Sequence, residues 1–134
     1  MLIEQTTEKE ILNHLASSIV GAAIKVHRVL GPGLLESSYE ACLAYEISKL
    51  GYKVERQKPL PLIYEEVQLE CGYRVDLLIE NKIVVEVKAV SNLIPIHESQ
   101  LLSYLKQSKC TLGLLLNFNV RLMRDGIKRM ILSP

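Results

Sequence analysis

The chain has 134 residues, 49% of them apolar and 23% charged, with a net charge of +1. Those values suit a single globular domain over residues 1–134 with a core of its own. They speak against a disordered tail of one charge sign and against a globally basic nucleic-acid binder, so contact with DNA or RNA has to use locally placed positive charge.

In chain order, Thr7 and Glu10 have capping-box spacing, and Ile11, Leu15, Ile19, Ala22, Val26 and Val29 follow at helical steps. Gly31-Pro32 ends that helix. A second helix is expected from Leu35–Ser37 to Leu50, with Tyr39, Cys42, Leu43 and Ile47 on its apolar face and Gly51 as its stop. Weak alternation over Lys53–Lys58 leads into Pro59 and Pro61, which mark an edge strand or a turn. Val67–Leu69 reads as a short strand, and Cys71-Gly72 suggests a bulge. Tyr73–Ile79 and Ile83–Ala89 are the strongest strands and flank a short polar connection, Glu80-Asn81-Lys82. Ile96–Ser108 reads as a helix, Leu112–Phe118 as a strand buried on both faces and Ile127–Leu132 as a last edge strand. A helix between the hairpin and Leu112–Phe118 makes a crossover, so the expected fold is α/β with a central mixed sheet flanked by helices.

Cys42, Cys71 and Cys110 are odd in number and far apart, unlike a disulfide framework or a zinc site, and they suit a reducing cytoplasm. The opening MLIEQTTEKE lacks a basic n-region, and no run approaches the roughly 20 apolar residues of a membrane span. A cytoplasmic protein without membrane contact is expected.

Three charges interrupt the two best strands: Asp76, Glu86 and Lys88. Residues two apart on a strand share a face, so Glu86 and Lys88 point the same way. Hairpin parity decides where Asp76 points. A two-residue turn sets Asp76 and Glu86 on opposite faces, whereas a three-residue loop sets them directly opposite one another with Cβ atoms roughly 4.5–5.5 Å apart. Two neighbouring carboxylates repel, and either Lys88 or a divalent cation such as Mg²⁺ or Mn²⁺ can sit between them. With the Val87 carbonyl as a further ligand, such a cation suits phosphodiester hydrolysis, and Lys88 would orient water or stabilise developing negative charge. The same three residues also fit an ordinary cross-strand salt bridge.

Asp76 followed by Glu86-Val87-Lys88 resembles the PD-(D/E)XK nuclease motif, and the wider chain resembles the GxxExxY family within that superfamily. The naming motif is Gly33-Leu34-Leu35-Glu36-Ser37-Ser38-Tyr39, within the stretch that opens at His27-Arg28-Val29-Leu30-Gly31-Pro32. Further matches are Tyr73–Leu77, Gln100–Tyr104 and Gly113–Phe118, so the likeness runs from about Ile19 to Ile131. It departs in one place, where Val75 stands instead of a proline before Asp76. The resemblance implies a restriction-endonuclease-like core, with Asp76, Glu86 and Lys88 at the catalytic positions and Glu36 as a helix acid near the metal. It also implies that Gln100 and Tyr104 stand for the Q-x-x-x-Y motif of RecB-like nucleases.

Other candidates for substrate contact are Tyr39, one helical turn from Glu36, His27 at the end of the first helix and Arg74, two before Asp76. Each has a plainer reading: a core aromatic, a dipole-complementing histidine and a carboxylate partner, respectively. Lys106, Lys109, Arg121, Arg124, Lys128 and Arg129 make the C-terminal third locally basic. The expected function is Mg²⁺- or Mn²⁺-dependent cleavage of nucleic acid, DNA before RNA, with a homodimer as one allowed assembly. The alternatives are a catalytically weak nuclease-like module that binds nucleic acid or a protein partner, and a phosphatase of small molecules.

Overall fold

Thr7 opens helix α1 (Glu8–Leu30) by accepting the Glu10 amide at 3.1 Å, while the Glu10 carboxylate accepts the Thr7 amide at 3.4 Å. In the computed structural model, which describes residues 7–133, the stripe Leu15, Ile19, Ala22 and Val26 is buried as its spacing requires. Ile11 and Val29, at the two ends of that stripe, are exposed. Gly31 stops α1 at φ +68°, in the left-handed region, and helix α2 (Glu36–Lys49) follows after a short loop.

The sheet has the order β1-β2-β3-β4-β5, from β1 (Val54–Tyr64), β2 (Val67–Ile79), β3 (Ile83–Lys88), β4 (Leu112–Asn117) and β5 (Ile127–Ile131). Every pair is antiparallel except β3–β4, which run parallel because helix α3 (Pro95–Ser108) crosses between them. This is the expected mixed sheet in one α/β domain. Pro59 and Pro61 are tolerated because β1 is an edge strand, where a missing amide donor costs no ladder bond. The two strands expected at Val67–Leu69 and Tyr73–Ile79 are one 13-residue strand. The irregularity expected at Cys71-Gly72 lies inside it: Gly72 takes φ +75°, and the β1–β2 register shifts between Leu60 and Leu62.

Alternation on the central strands divides the core in two. Leu77, Ile79, Ile83, Val85 and Val87 pack with α1 and α2 on one face. Leu78 and Val84 pack with Leu101, Tyr104 and Leu105 of α3 on the other. Glu86 and Lys88 alternate with Val85 and Val87, and so belong to the α3 face. All six residues of β4 are buried, as expected of a strand covered on both sides. Among the described residues no helix is long and apolar enough to cross a membrane.

Candidate metal and nucleic-acid site

The β2–β3 hairpin has the three-residue connection that parity needed: Ile79 pairs with Ile83, Leu78 with Val84 and Leu77 with Val85. Continued by one step, that register sets Asp76 opposite Glu86. The ladder stops there, and side chains replace it. The Asp76 N–H donates to Glu86 Oε2 at 2.8 Å, and the Val87 N–H donates to Asp76 Oδ2 at 2.8 Å. Each carboxylate thus takes the place of a backbone acceptor on the other strand, and the two strands part around the pair. The β1–β2 ladder also skips a step here, between Arg56↔Leu77 and Lys58↔Val75, where Gln57 stands at φ +50°. The Gln57 amide donates to Asp76 Oδ1 at 3.2 Å and to Glu40 Oε1 at 2.6 Å.

Burial leaves this pair under-neutralised. Glu86 is 4% exposed. Loss of water pushes its pKa up to about 8, with the Asp76 charge adding to the rise and Lys88 opposing it. Asp76 is raised by the same loss of water, against the lowering effect of the Val87 amide. No ion pair joins Lys88 to either carboxylate among the described residues, which sets aside the plain salt-bridge reading. A buried carboxylate and a half-buried one that repel each other are a donor set that suits a hard divalent cation, which commonly takes one or two carboxylates and completes its shell with water and phosphate oxygens.

The other expected residues fall into three groups. Tyr104 packs with Leu78 and Val84 on the α3 face, and its hydroxyl pKa is raised by burial and then by the Glu86 and Asp76 charges, with Gln100 beside it opposing the rise. Glu36 is not brought to the pair. Its Oε2 accepts the Ala89 amide at 3.1 Å, just past Lys88, and among the described residues no group of three acidic, histidine or cysteine side chains is arranged to hold a metal. Arg74 is exposed and donates to the Gln57 carbonyl at 3.4 Å rather than to a carboxylate.

Tyr39 has structural work instead of a substrate-facing position, while His27 joins a backbone contact to a place in the lining of a groove at the end of α1. Tyr39 is fully buried, stacks on Phe118 with centroids 4.6 Å apart, donates to the Gly31 carbonyl at 2.6 Å and accepts the Leu34 amide at 3.1 Å. His27 is buried, and its Nε2 lies 2.7 Å from the Val120 carbonyl oxygen. The Gly33–Tyr39 motif is therefore a fastening: Gly33 supplies φ +101°, Tyr39 closes the loop and Glu36 ties the start of α2 to the end of β3.

Sequence reasoning passed over Glu40, Gln57 and Asn117. Glu40 is buried, held by Arg56 at 3.1 Å and by Gln57, and its charge raises the pKa of Asp76. Its place four residues after Glu36, on the same helix face, was a usable signal. Asn117, opposite Lys88 in the β3–β4 register, is buried and brackets Val90 by accepting its amide at 3.1 Å and donating to its carbonyl at 2.9 Å. Nothing in the pattern around Gln57 announces its left-handed backbone.

A sequence profile of the PD-(D/E)XK nuclease superfamily matches residues 13–130. No curated protein and no solved structure matches the chain. The profile spans all five strands but for the last residue of β5, together with the parted hairpin that carries Asp76, Glu86 and Lys88, and on that match the chain belongs to the PD-(D/E)XK nuclease superfamily.

Proposed function

We propose that this chain hydrolyses phosphodiester bonds of nucleic acid, DNA before RNA, at a site built on Asp76, Glu86 and Lys88, and that it stands in the GxxExxY branch of its superfamily. Nucleases of that superfamily generally use divalent metal ions, and membership implies nucleic-acid binding. The observation that carries the reading is the parting of β2 and β3 around a buried carboxylate, Glu86, and a half-buried one, Asp76, whose charges no ion pair offsets among the described residues.

Asp76 and Glu86 would hold Mg²⁺ or Mn²⁺, with the Val87 carbonyl as a third oxygen. Bound there, the cation lowers the pKa of a water and offsets charge on the phosphate. Lys88, on the same face as Glu86, orients the attacking water and meets negative charge as it develops. Glu36 steadies the end of β3 that carries Lys88. Gln100 and Tyr104, on the helix covering that face, donate hydrogen bonds to phosphate or base edges. Arg74 remains available to a phosphate.

The test is cleavage of single- and double-stranded DNA and RNA with Mg²⁺ or Mn²⁺, by wild type and by Asp76→Asn, Glu86→Gln and Lys88→Met. Each variant should lose on the order of 100-fold or more in rate. A wild type inert on every substrate while still binding nucleic acid would leave the catalytically weak module as the better reading.

A further inference from the structure

Outside the metal site, a groove of about 630 Å³ runs between the end of α1, the loop that follows it and the segment after β4. Three exposed arginines line it: Arg28 from the last turn of α1, and Arg121 and Arg124 from the segment after β4. No acidic side chain lines it, and none of the three makes an ion pair among the described residues. Two other cations of the basic C-terminal third are committed elsewhere: Lys128 pairs with Glu98 at 3.4 Å, and Arg129 donates to Asn13. The groove floor is apolar, from Ile24, Pro32, Leu122 and Met123.

Backbone contacts tie the groove's walls to the end of the sheet that carries Lys88. His27 fastens the end of α1 to Val120, next to Arg121. Gly126 closes the 3₁₀ turn Met123–Gly126 so tightly that a Cβ there would collide with the Asn117 carbonyl oxygen. Asn117 is the ladder partner of Lys88, and the Phe118 N–H donates to the Lys88 carbonyl at 2.9 Å. On the other wall, Gly31 and Pro32 belong to the loop that leads to Glu36, whose carboxylate meets Ala89.

We infer that this groove is a second binding site, for the phosphodiester backbone of the nucleic acid away from the bond being cut. The inference rests on the nuclease reading for its substrate. A cationic rim over an apolar floor matches a chain that alternates phosphate with sugar, since guanidiniums pair with phosphate oxygens and sugar carbons can pack on the floor. Free inorganic phosphate would use the rim alone, and an acidic peptide would lay charged side chains of variable spacing over the same floor.

The test is the salt dependence of affinity for a labelled 30-base-pair duplex in EDTA, read by fluorescence anisotropy, for wild type and for the triple variant Arg28→Gln, Arg121→Gln, Arg124→Gln. Each phosphate contact contributes about 0.9 to the slope of log K against log salt, so the triple variant should lose between 2 and 3 from that slope and bind at least tenfold more weakly at 0.1 M salt. Its Mn²⁺ affinity by calorimetry should equal wild type, and the triple Arg→Lys variant should recover most of the slope, which a folding defect would not allow. If the glutamine triple fails to fold, the three single variants each read a loss near 0.9. An unchanged slope overturns the groove, and so does polyglutamate competing as well as DNA. The two readings separate cleanly: an unchanged slope with cleavage abolished by Asp76→Asn sinks the groove and keeps the nuclease, whereas a reduced slope with no metal-dependent cleavage does the opposite.

Discussion

Replacing Glu86 by glutamine should make the metal-free protein more stable at alkaline pH. The folded-state pKa of Glu86 stands at about 8 against an ordinary 4.5, chiefly because the carboxyl is buried. A group with a raised folded pKa contributes stability that is fully present below its unfolded pKa and is lost as pH rises through its folded one. The window is therefore about pH 4.5 to 8, with the folded protein holding a proton that the unfolded chain has released. At 1.36 kcal/mol per unit, the shift is worth about 5 kcal/mol between the two ends. That is a large fraction of the 5–15 kcal/mol typical of a domain. Glutamine keeps an oxygen to accept the Asp76 amide and carries no charge, so the variant should hardly feel the window, and Asp76 loses a repelling neighbour. Urea unfolding in EDTA at pH 5, 7 and 9, followed by far-ultraviolet circular dichroism, should give nearly equal midpoints at pH 5. At pH 9 the variant midpoint should lie roughly 2 M higher. Adding Mn²⁺ at pH 9 should recover wild type and leave the variant where it was, because a bound cation stabilises the folded state by mass action. Parallel pH profiles for the two proteins would show that Glu86 titrates as an open carboxylate, and the argument from burial would fall.

The same proton makes metal binding pH-dependent: apparent Mn²⁺ affinity should rise about tenfold per unit between pH 6 and 8, with proton release seen by calorimetry in two buffers, and a flat affinity would refute it. Gln100→Ala should weaken nucleic-acid binding by about 1–3 kcal/mol without changing Mn²⁺ affinity, whereas Asp76→Ala should abolish metal binding first; equal loss of metal in both would put Gln100 in the wrong role. Tyr39→Phe removes the hydroxyl that joins Gly31 to Leu34 and should cost about 1–3 kcal/mol in urea unfolding, with an unchanged midpoint as the contrary result.

Periodicity carried the helices and the inner strands because their burial is one-sided or complete. Leu15, Ile19, Ala22 and Val26 have only one wall to face, and Leu112–Leu116 has two. The β1–β2 ribbon was harder. Between Leu60 and Tyr73 only part of it meets α3, and most of its side chains are exposed, so no alternation was imposed on the sequence. Two strands were expected in β2 where one bends through Gly72.

The site divides along a similar line, between what chain geometry fixes and what tertiary packing decides. The facing of Asp76 and Glu86 follows from a count of three loop residues, because side-chain period on a strand is two and parity leaves no other answer. The fates of Glu36, Tyr39 and His27 could not be had by counting. Each sits at a helix end or in the loop beside one, where a side chain can reach either a ligand or an unpaired backbone group, and both outcomes need the same residue types. Here the backbone won each time: Ala89 N–H, the Gly31 carbonyl and the Val120 carbonyl take the three side chains. The common product of those bonds is the position of the segments that end β3, follow α1 and follow β4. Motif residues that look catalytic in one dimension thus bond to the backbone of these segments, while the under-neutralised charge lies with Asp76 and Glu86.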